Sequence, residues 1–210
     1  KLLVIFLILI SMSACQASTG SDINNGIDAD VIIKTINKGK PVLIQDKIIS
    51  GDLDFTKIQS VSVFSTSQKI ASIDVPVTFL KCIFLGKVIT NAQTDKAVVT
   101  THFKDNLTFE GCDFRAVADF SNSEVDGMVN FTAAVFNENA LFNNINFAGS
   151  RNYFTSCTAE KSFSMQEAVI AGSCDFFQAQ YKGKLSFQST CFGGTAQFSN
   201  LKSLGKSDFS

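Results

Sequence analysis

Phe109-Glu110-Gly111-Cys112-Asp113-Phe114-Arg115-Ala116-Val117-Ala118-Asp119-Phe120 decides the fold, because its three phenylalanines stand five and then six residues apart. The same five-and-six clock runs on through Phe131 and Phe136, then Phe142 and Phe147, with Val125 on the beat between Phe120 and Phe131. After a one-residue slip near Phe154 it resumes at Met165, Phe176, Phe187, Phe198 and Phe209. Ile170, Tyr181, Phe192 and Leu204 mark the intermediate beats. Neither a helix period of 3.6 nor a strand period of 2 produces such steps. A short fixed period marks a solenoid, in which each repeat turns one corner of a coil.

A second position recurs two residues before each beat. It reads Leu107, Cys112, Ala118, Ser123, Val129, Ala134, Ala140 and Ile145, then Cys157, Phe163, Ala168, Cys174, Ala179, Leu185, Thr190 and Ala196. In a short strand, residues i and i−2 share a face while i−1 points the other way. The i−1 residues (Thr108, Asp113, Asp119, Asn130, Asn146, Asp175, Ser186, Gln197) are polar. Each corner therefore carries a large and a small inward residue with a polar outward one between them.

Phe109 to Phe114, Phe131 to Phe136, Phe142 to Phe147 and Phe187 to Phe192 each form a Phe-x-x-x-x-Phe unit followed by a six-residue step. This resembles the pentapeptide-repeat proteins, clearly over Leu107 to Ser210 and weakly over Ser50 to Phe84. The resemblance implies an all-β solenoid, a right-handed quadrilateral β-helix of about 22 residues per coil. Asp28 to Lys38 reads as a short amphipathic capping helix with Val31, Ile32 and Ile36 as its apolar stripe. Gly39 closes it and Pro41 follows. Together with Gly51 to Phe55, this start is similar to the N-terminal cap of secreted bacterial members of the group. The slip between Phe147 and Met165 predicts a bulge or enlarged corner around Gly149 to Tyr153. Two stretches lack the beat, Thr56 to Pro76 and Leu85 to Thr101, and read as a loose insertion and an irregular loop.

The leading residues read as export machinery. Lys1, the apolar run Leu2 to Ile10 and Ser11-Met12-Ser13-Ala14-Cys15 describe a secretory signal too short to span a bilayer. Met12 to Cys15 also resembles a bacterial lipobox, which makes Cys15 the lipidation site. Polar Gln16 to Ile27 then serves as a flexible tether. By resemblance to bacterial sorting rules, Gln16 after the cysteine directs the chain to the outer membrane. The expected organisation is a signal over 1–15, tether over 16–27, cap helix and strands over 28–49, and the β-helix over 50–210.

The formal net charge is −1, from 18 Lys plus Arg against 19 Asp plus Glu. That lacks the basic stripe a nucleic-acid binder needs to displace counterions, and it lacks the acidity of a DNA mimic. Cys82, Cys112, Cys157 and Cys174 fall in the small inward slot and read as packed thiols, with a stacked disulfide as the sharper alternative; Cys191 should face out. Their spacing gives no Cys-x2-Cys pair for zinc. His102 reads as a solvated loop residue without a nucleophile nearby. Asp52/Asp54 and Asp119/Glu124/Asp126 could be taken as calcium or acid–base groups, but fall on outward strand and turn positions. Gly193-Gly194 reads as a corner rather than a phosphate loop, and the sequons at Asn106 and Asn130 carry little weight in a bacterial lipoprotein. The sequence therefore names no catalytic residue, metal, cofactor or ligand-binding residue.

The expectation is a non-enzymatic, lipid-anchored scaffold of the bacterial cell envelope, whose partners are the membrane and an envelope protein or glycan. A polysaccharide-active β-helix enzyme is the alternative, and a DNA-mimicking topoisomerase binder a weaker one. The last beat, Phe209, has no capping helix after it. That fits either a longer chain or end-to-end pairing of two coils into a homodimer.

Overall fold

A computed structural model describes residues 25–210. Signal and lipobox, with Cys15, lie outside the described residues, as does the tether up to residue 24. The tether's last residues are already structured: strand β1 (Gly26–Asp28) runs parallel to β3 (Ile48–Ser50). Helix α1 (Ala29–Ile36) follows, with the Asp28 carboxylate accepting from the Asp30 N–H at 2.8 Å. The helix buries Ala29, Ile32, Ile33 and Ile36, the i, i+3, i+4, i+7 stripe of a 3.6 period. Val31 stands outside that stripe and faces solvent, contrary to the sequence reading; Ile33 takes its place. Gly39, at φ 66°, closes the turn after it.

Four parallel sheets form the walls of a right-handed coil, and the chain visits them in fixed rotation. The first coil supplies β2 (Val42–Gln45), β3 and β4 (Leu53–Asp54) to walls one, two and three. The strands assigned above to the cap thus already belong to the solenoid. Here the rotation reaches wall four through a hairpin, β5 (Val61–Ser65) and β6 (Gln68–Ile73). The second coil repeats this: β7 (Val77–Leu80), β8 (Ile83–Phe84) and β9 (Val88–Ile89), then a second hairpin, β10 (Asn91–Gln93) and β11 (Val98–Phe103). From the third coil onward the walls are bare short strands: β12 (Leu107–Glu110), β13 (Asp113–Phe114), β14 (Ala118–Asp119), β15 (Glu124–Val125), and so on to Ser207–Asp208.

The interior is built from the beat residues. On wall one, Phe79, Phe109, Phe131, Phe154, Phe176 and Phe198 stack in one ladder, with centroids 5.1–5.4 Å apart and ring planes within 16°. That spacing slightly exceeds the strand separation, so the coil repeat itself sets the offset stack. On wall two the ladder Phe84, Phe114, Phe136 gives way to Ala159 and then Tyr181. The space above Ala159 is filled from wall three, where Phe163 occupies a small slot and lies 4.7 Å from the Tyr181 ring. A lost large residue is thus compensated by a gained one, as interior close packing requires.

The slip falls where the spacing predicts it. Leu107 pairs with Val129 and Val129 with Asn152, so the second of these coils holds one residue more than the first. The extra residue enlarges the corner between Phe147 and Asn152, and every later wall keeps the shifted register. Asn152 occupies the small inward slot, fully buried. Its Nδ2 donates to the Ser173 carbonyl at 3.1 Å, but its Oδ1 has no partner.

Corners repeat as well. Asn122, Ala133, Asn144, Ser156, Glu167, Gln178, Ser189 and Asn200 all sit at φ between 52° and 59°, on the same clock as the phenylalanines, with the slip falling between Asn144 and Ser156. Three expectations about placement need correction. Leu204 is exposed and Ser203 holds that beat, because Ser203 is the register partner of Tyr181 one coil on. Thr108 and Ser186 point outward yet are covered by neighbouring coils; Ser186 accepts from Gln166 at 2.8 Å.

Candidate functional site

Neither irregular stretch is a loop. Each lengthens a wall-four strand beyond its corner and pairs it with an antiparallel partner. Ala71/Ile73 and Thr101/Phe103 hold the inward slots of wall four, so the beat continues through both stretches. Thr90 and Thr101 disguise it, being buried hydroxyls where apolar residues are expected. Thr101 Oγ1 donates to the Thr90 carbonyl at 2.7 Å, and Thr90 Oγ1 lies 3.2 Å from the Asp119 carbonyl it donates to.

Beyond the corner, β6 and β11 remain parallel from Gln68/Val98 to Ile73/Phe103, flanked by β5 on one side and β10 on the other. The product is a four-stranded arm continuous with wall four. Its outer strand β5 ends the sheet, and all five of its residues are exposed, with Val63 at 69 % and Phe64 at 74 %. The Ser72 N–H donates to the Ser60 carbonyl at 2.8 Å, which fixes the antiparallel alternation. Ser60 and Ser62 therefore turn their backbone groups toward β6, and Val61 and Val63 turn theirs to the open edge.

Between the arm and wall four lies an open polar groove of about 610 Å³, lined by Gln68, Thr100, His102, Glu124, Asn144 and Asn146 among others. At its foot is a cluster the sequence reading missed. His102 is in β11, its register partner across the coil is Glu124, and Asp126 follows in the next corner. His102 Nε2 lies 2.9 Å from Asp126 Oδ2 and 3.9 Å from Glu124 Oε2. Nε2 is sealed from solvent, and the close contact is not an aligned hydrogen bond. The Asn146 amide donates to Glu124 Oε1 at 2.8 Å and leaves Oε2 turned to the histidine. His102 is thus a half-buried wall residue, not a solvated loop residue. The signal that could have found the cluster is the coil length, since His102 and Glu124 stand one full turn apart.

The other residues singled out in the sequence serve the coil. Asp52 accepts from the Lys87 N–H at 2.8 Å, and Asp54 and Asp119 accept from the N–H two residues on, at Thr56 and Ser121. Asn106 Oδ1 accepts from the Met128 N–H, and Gly193-Gly194 lies in a corner before the strand Ala196–Gln197. Cys82, Cys112, Cys157 and Cys174 are buried free thiols and Cys191 is exposed. Cys112 is held up by its hydrogen bond with Cys82, which ionises first of the two. Burial pushes Cys157 and Cys174 up, so they stay protonated packing groups.

The walls, ladders and coil length agree with one finding from comparison. Residues 109–158 match the family model for pentapeptide repeats (9 copies). That span is made of pentapeptide repeats. No curated protein and no solved structure matches the chain. The matched span lies within the bare coils and the arm outside it; the exposed apolar strand belongs to the arm, while the groove and the charged cluster join the arm to the matched coils, which supply Glu124 and Asp126.

Proposed function

We propose that this protein is a non-enzymatic binding scaffold of the bacterial cell envelope, held at the outer membrane by lipid on Cys15, and that its arm captures an extended segment of an envelope protein by strand addition. One observation carries the binding half: β5 offers the unpaired backbone of Val61 and Val63 at the end of an eight-stranded sheet, with exposed Val and Phe side chains beside it. Edge strands are normally blunted by charge, proline or cover. Val61-Ser62-Val63-Phe64-Ser65 carries neither charge nor proline. A partner strand would gain main-chain hydrogen bonds along β5 and place alternate apolar side chains against Val61 and Val63. The interior is filled by rings, and the 85–101 stretch holds a single carboxylate, Asp95, so no acid pair converges there. The anchoring half rests on Leu2 to Cys15; acyl chains at about 0.8 kcal/mol per buried CH₂ give durable attachment.

Photocrosslinking in intact envelopes tests both halves. A crosslinker replacing Phe64 should trap a protein that one replacing Gln180, on wall two, does not. Val63→Pro should abolish the adduct with the arm still folded, because that N–H faces the open edge. Cys15→Ser should release the chain from the membrane fraction. Equal adducts at both positions, or an adduct indifferent to Val63→Pro, would refute strand addition.

A further inference from the structure

We infer that His102, Glu124 and Asp126 form a binding site for a divalent transition ion of the zinc class, which ties the root of the arm to the coil below it. The three donor atoms lie within 4.8 Å of one another. Tetrahedral zinc with bonds of about 2.0–2.2 Å separates its ligands by about 3.3–3.6 Å. The measured 2.9 Å and 3.9 Å from His102 Nε2 to the two carboxylates bracket that range. Small rotations of two half-exposed carboxylates close the difference.

Three further features point to an ion rather than a plain ion pair. His102 Nε2 is buried without an aligned hydrogen-bond partner, although two carboxylates stand within reach of it. An imidazole lone pair in that setting is a ligand for a cation. Glu124 is oriented by Asn146, the kind of outer hydrogen bond that fixes a liganding carboxylate. The groove leaves the remaining coordination position open to water or to a ligand oxygen. One imidazole and two carboxylates suit zinc, manganese or iron(II); calcium, which takes six to eight oxygens, is disfavoured by the nitrogen and the small donor set. The ligands come from both sides of the junction, His102 from the arm strand and the two acids from the next coil. The ion therefore acts as a rivet at the place where the arm leaves the solenoid. This inference stands apart from strand addition, since it rests on a different part of the arm.

The test is calorimetric titration of the full chain carrying Cys15→Ser and Cys191→Ser, which removes the lipobox cysteine and the exposed thiol among the described residues, with zinc and calcium as probes. The expected result is one zinc per chain, with calcium unable to compete at equal concentration. Asn146→Ala should weaken binding about 10–100-fold. His102→Gln and, separately, Glu124→Gln should weaken it further, and both variants should melt with the parent when metal-free. Cobalt substituted for zinc should show ligand-field bands without thiolate charge transfer. Zinc affinity unchanged in both His102→Gln and Glu124→Gln would overturn the site, as would a thiolate band from cobalt or no zinc binding at millimolar concentration.

Discussion

The bare coils from Leu107 to Phe187 and the arm of β5, β6, β10 and β11 meet in one sheet on wall four, yet they dispose of their side chains in opposite ways. In the coils the wall-one rings each meet an equivalent one turn away, and Phe131 by itself lies against the rings of Phe109, Phe114, Phe120, Phe136, Phe142 and Phe154. In the arm, strands lengthened past the corner have no coil beneath them, so β5 buries neither face. Stability in such a structure accumulates between neighbouring repeats. The coils are where the fold is held, and the arm is where surface is left over for work.

The contrast makes graded claims about stability. Phe131→Ala should cost about 3–5 kcal/mol and Phe131→Asp more, enough to remove the cooperative thermal transition. Next comes Gly149→Ala, whose Cβ would collide with the Gly127 carbonyl of the coil below; overpacking of this kind costs about 1–3 kcal/mol in denaturant melts. Gly149 sits in the enlarged corner, so a neutral outcome would show that the corner gives way and the stack does not start there.

Alkaline pH probes the packed thiols. Burial raises Cys157 and Cys174 above their ordinary value of 9.0, so the unfolded chain releases those protons first. The stability they contribute is complete below about pH 9 and is lost as pH rises toward the folded values. Cys157→Ala should flatten that decline in melts taken across the range. Tyr181→Phe removes a buried hydroxyl set against the Cys157 thiol and should change stability by less than about 1 kcal/mol. Phe64→Ala, on the arm, should change it by less than about 0.5 kcal/mol. A cost there approaching that of Phe131→Ala would erase the distinction between the two regions.

The same distinction explains what can be read from the chain in advance. Phe109, Phe114 and Phe120 announce the coil because one slot type is filled by one residue type, and the slip near Phe154 locates the enlarged corner for the same reason. Asn152 escapes notice because a polar residue holds an apolar slot. The arm is unreadable since Thr90 and Thr101 break the apolar beat, and since Val61 to Ser65, exposed on both faces, follows no burial pattern at all. His102 is far in sequence from Glu124 and Asp126 and meets them only once Phe103 is placed on its beat, which puts Glu124 one turn beyond His102. Leu204 is misplaced by a single position, the smallest error that turns a strand side chain inside out, and Val31 is taken for Ile33, two residues on, which the helical period puts in the buried stripe.

Amide hydrogen exchange resolved to single residues tests the division most directly. The amides of Phe120, Phe131 and Phe142, bonded to the carbonyls of Leu141, Tyr153 and Ser164 at 2.7 Å, should exchange only through global unfolding. Ser62 should be protected by β6, while Val61 and Val63, facing the open edge, should exchange orders of magnitude faster. Protection of Val61 and Val63 equal to that of Phe131 would contradict the account, as would fast exchange throughout the coils.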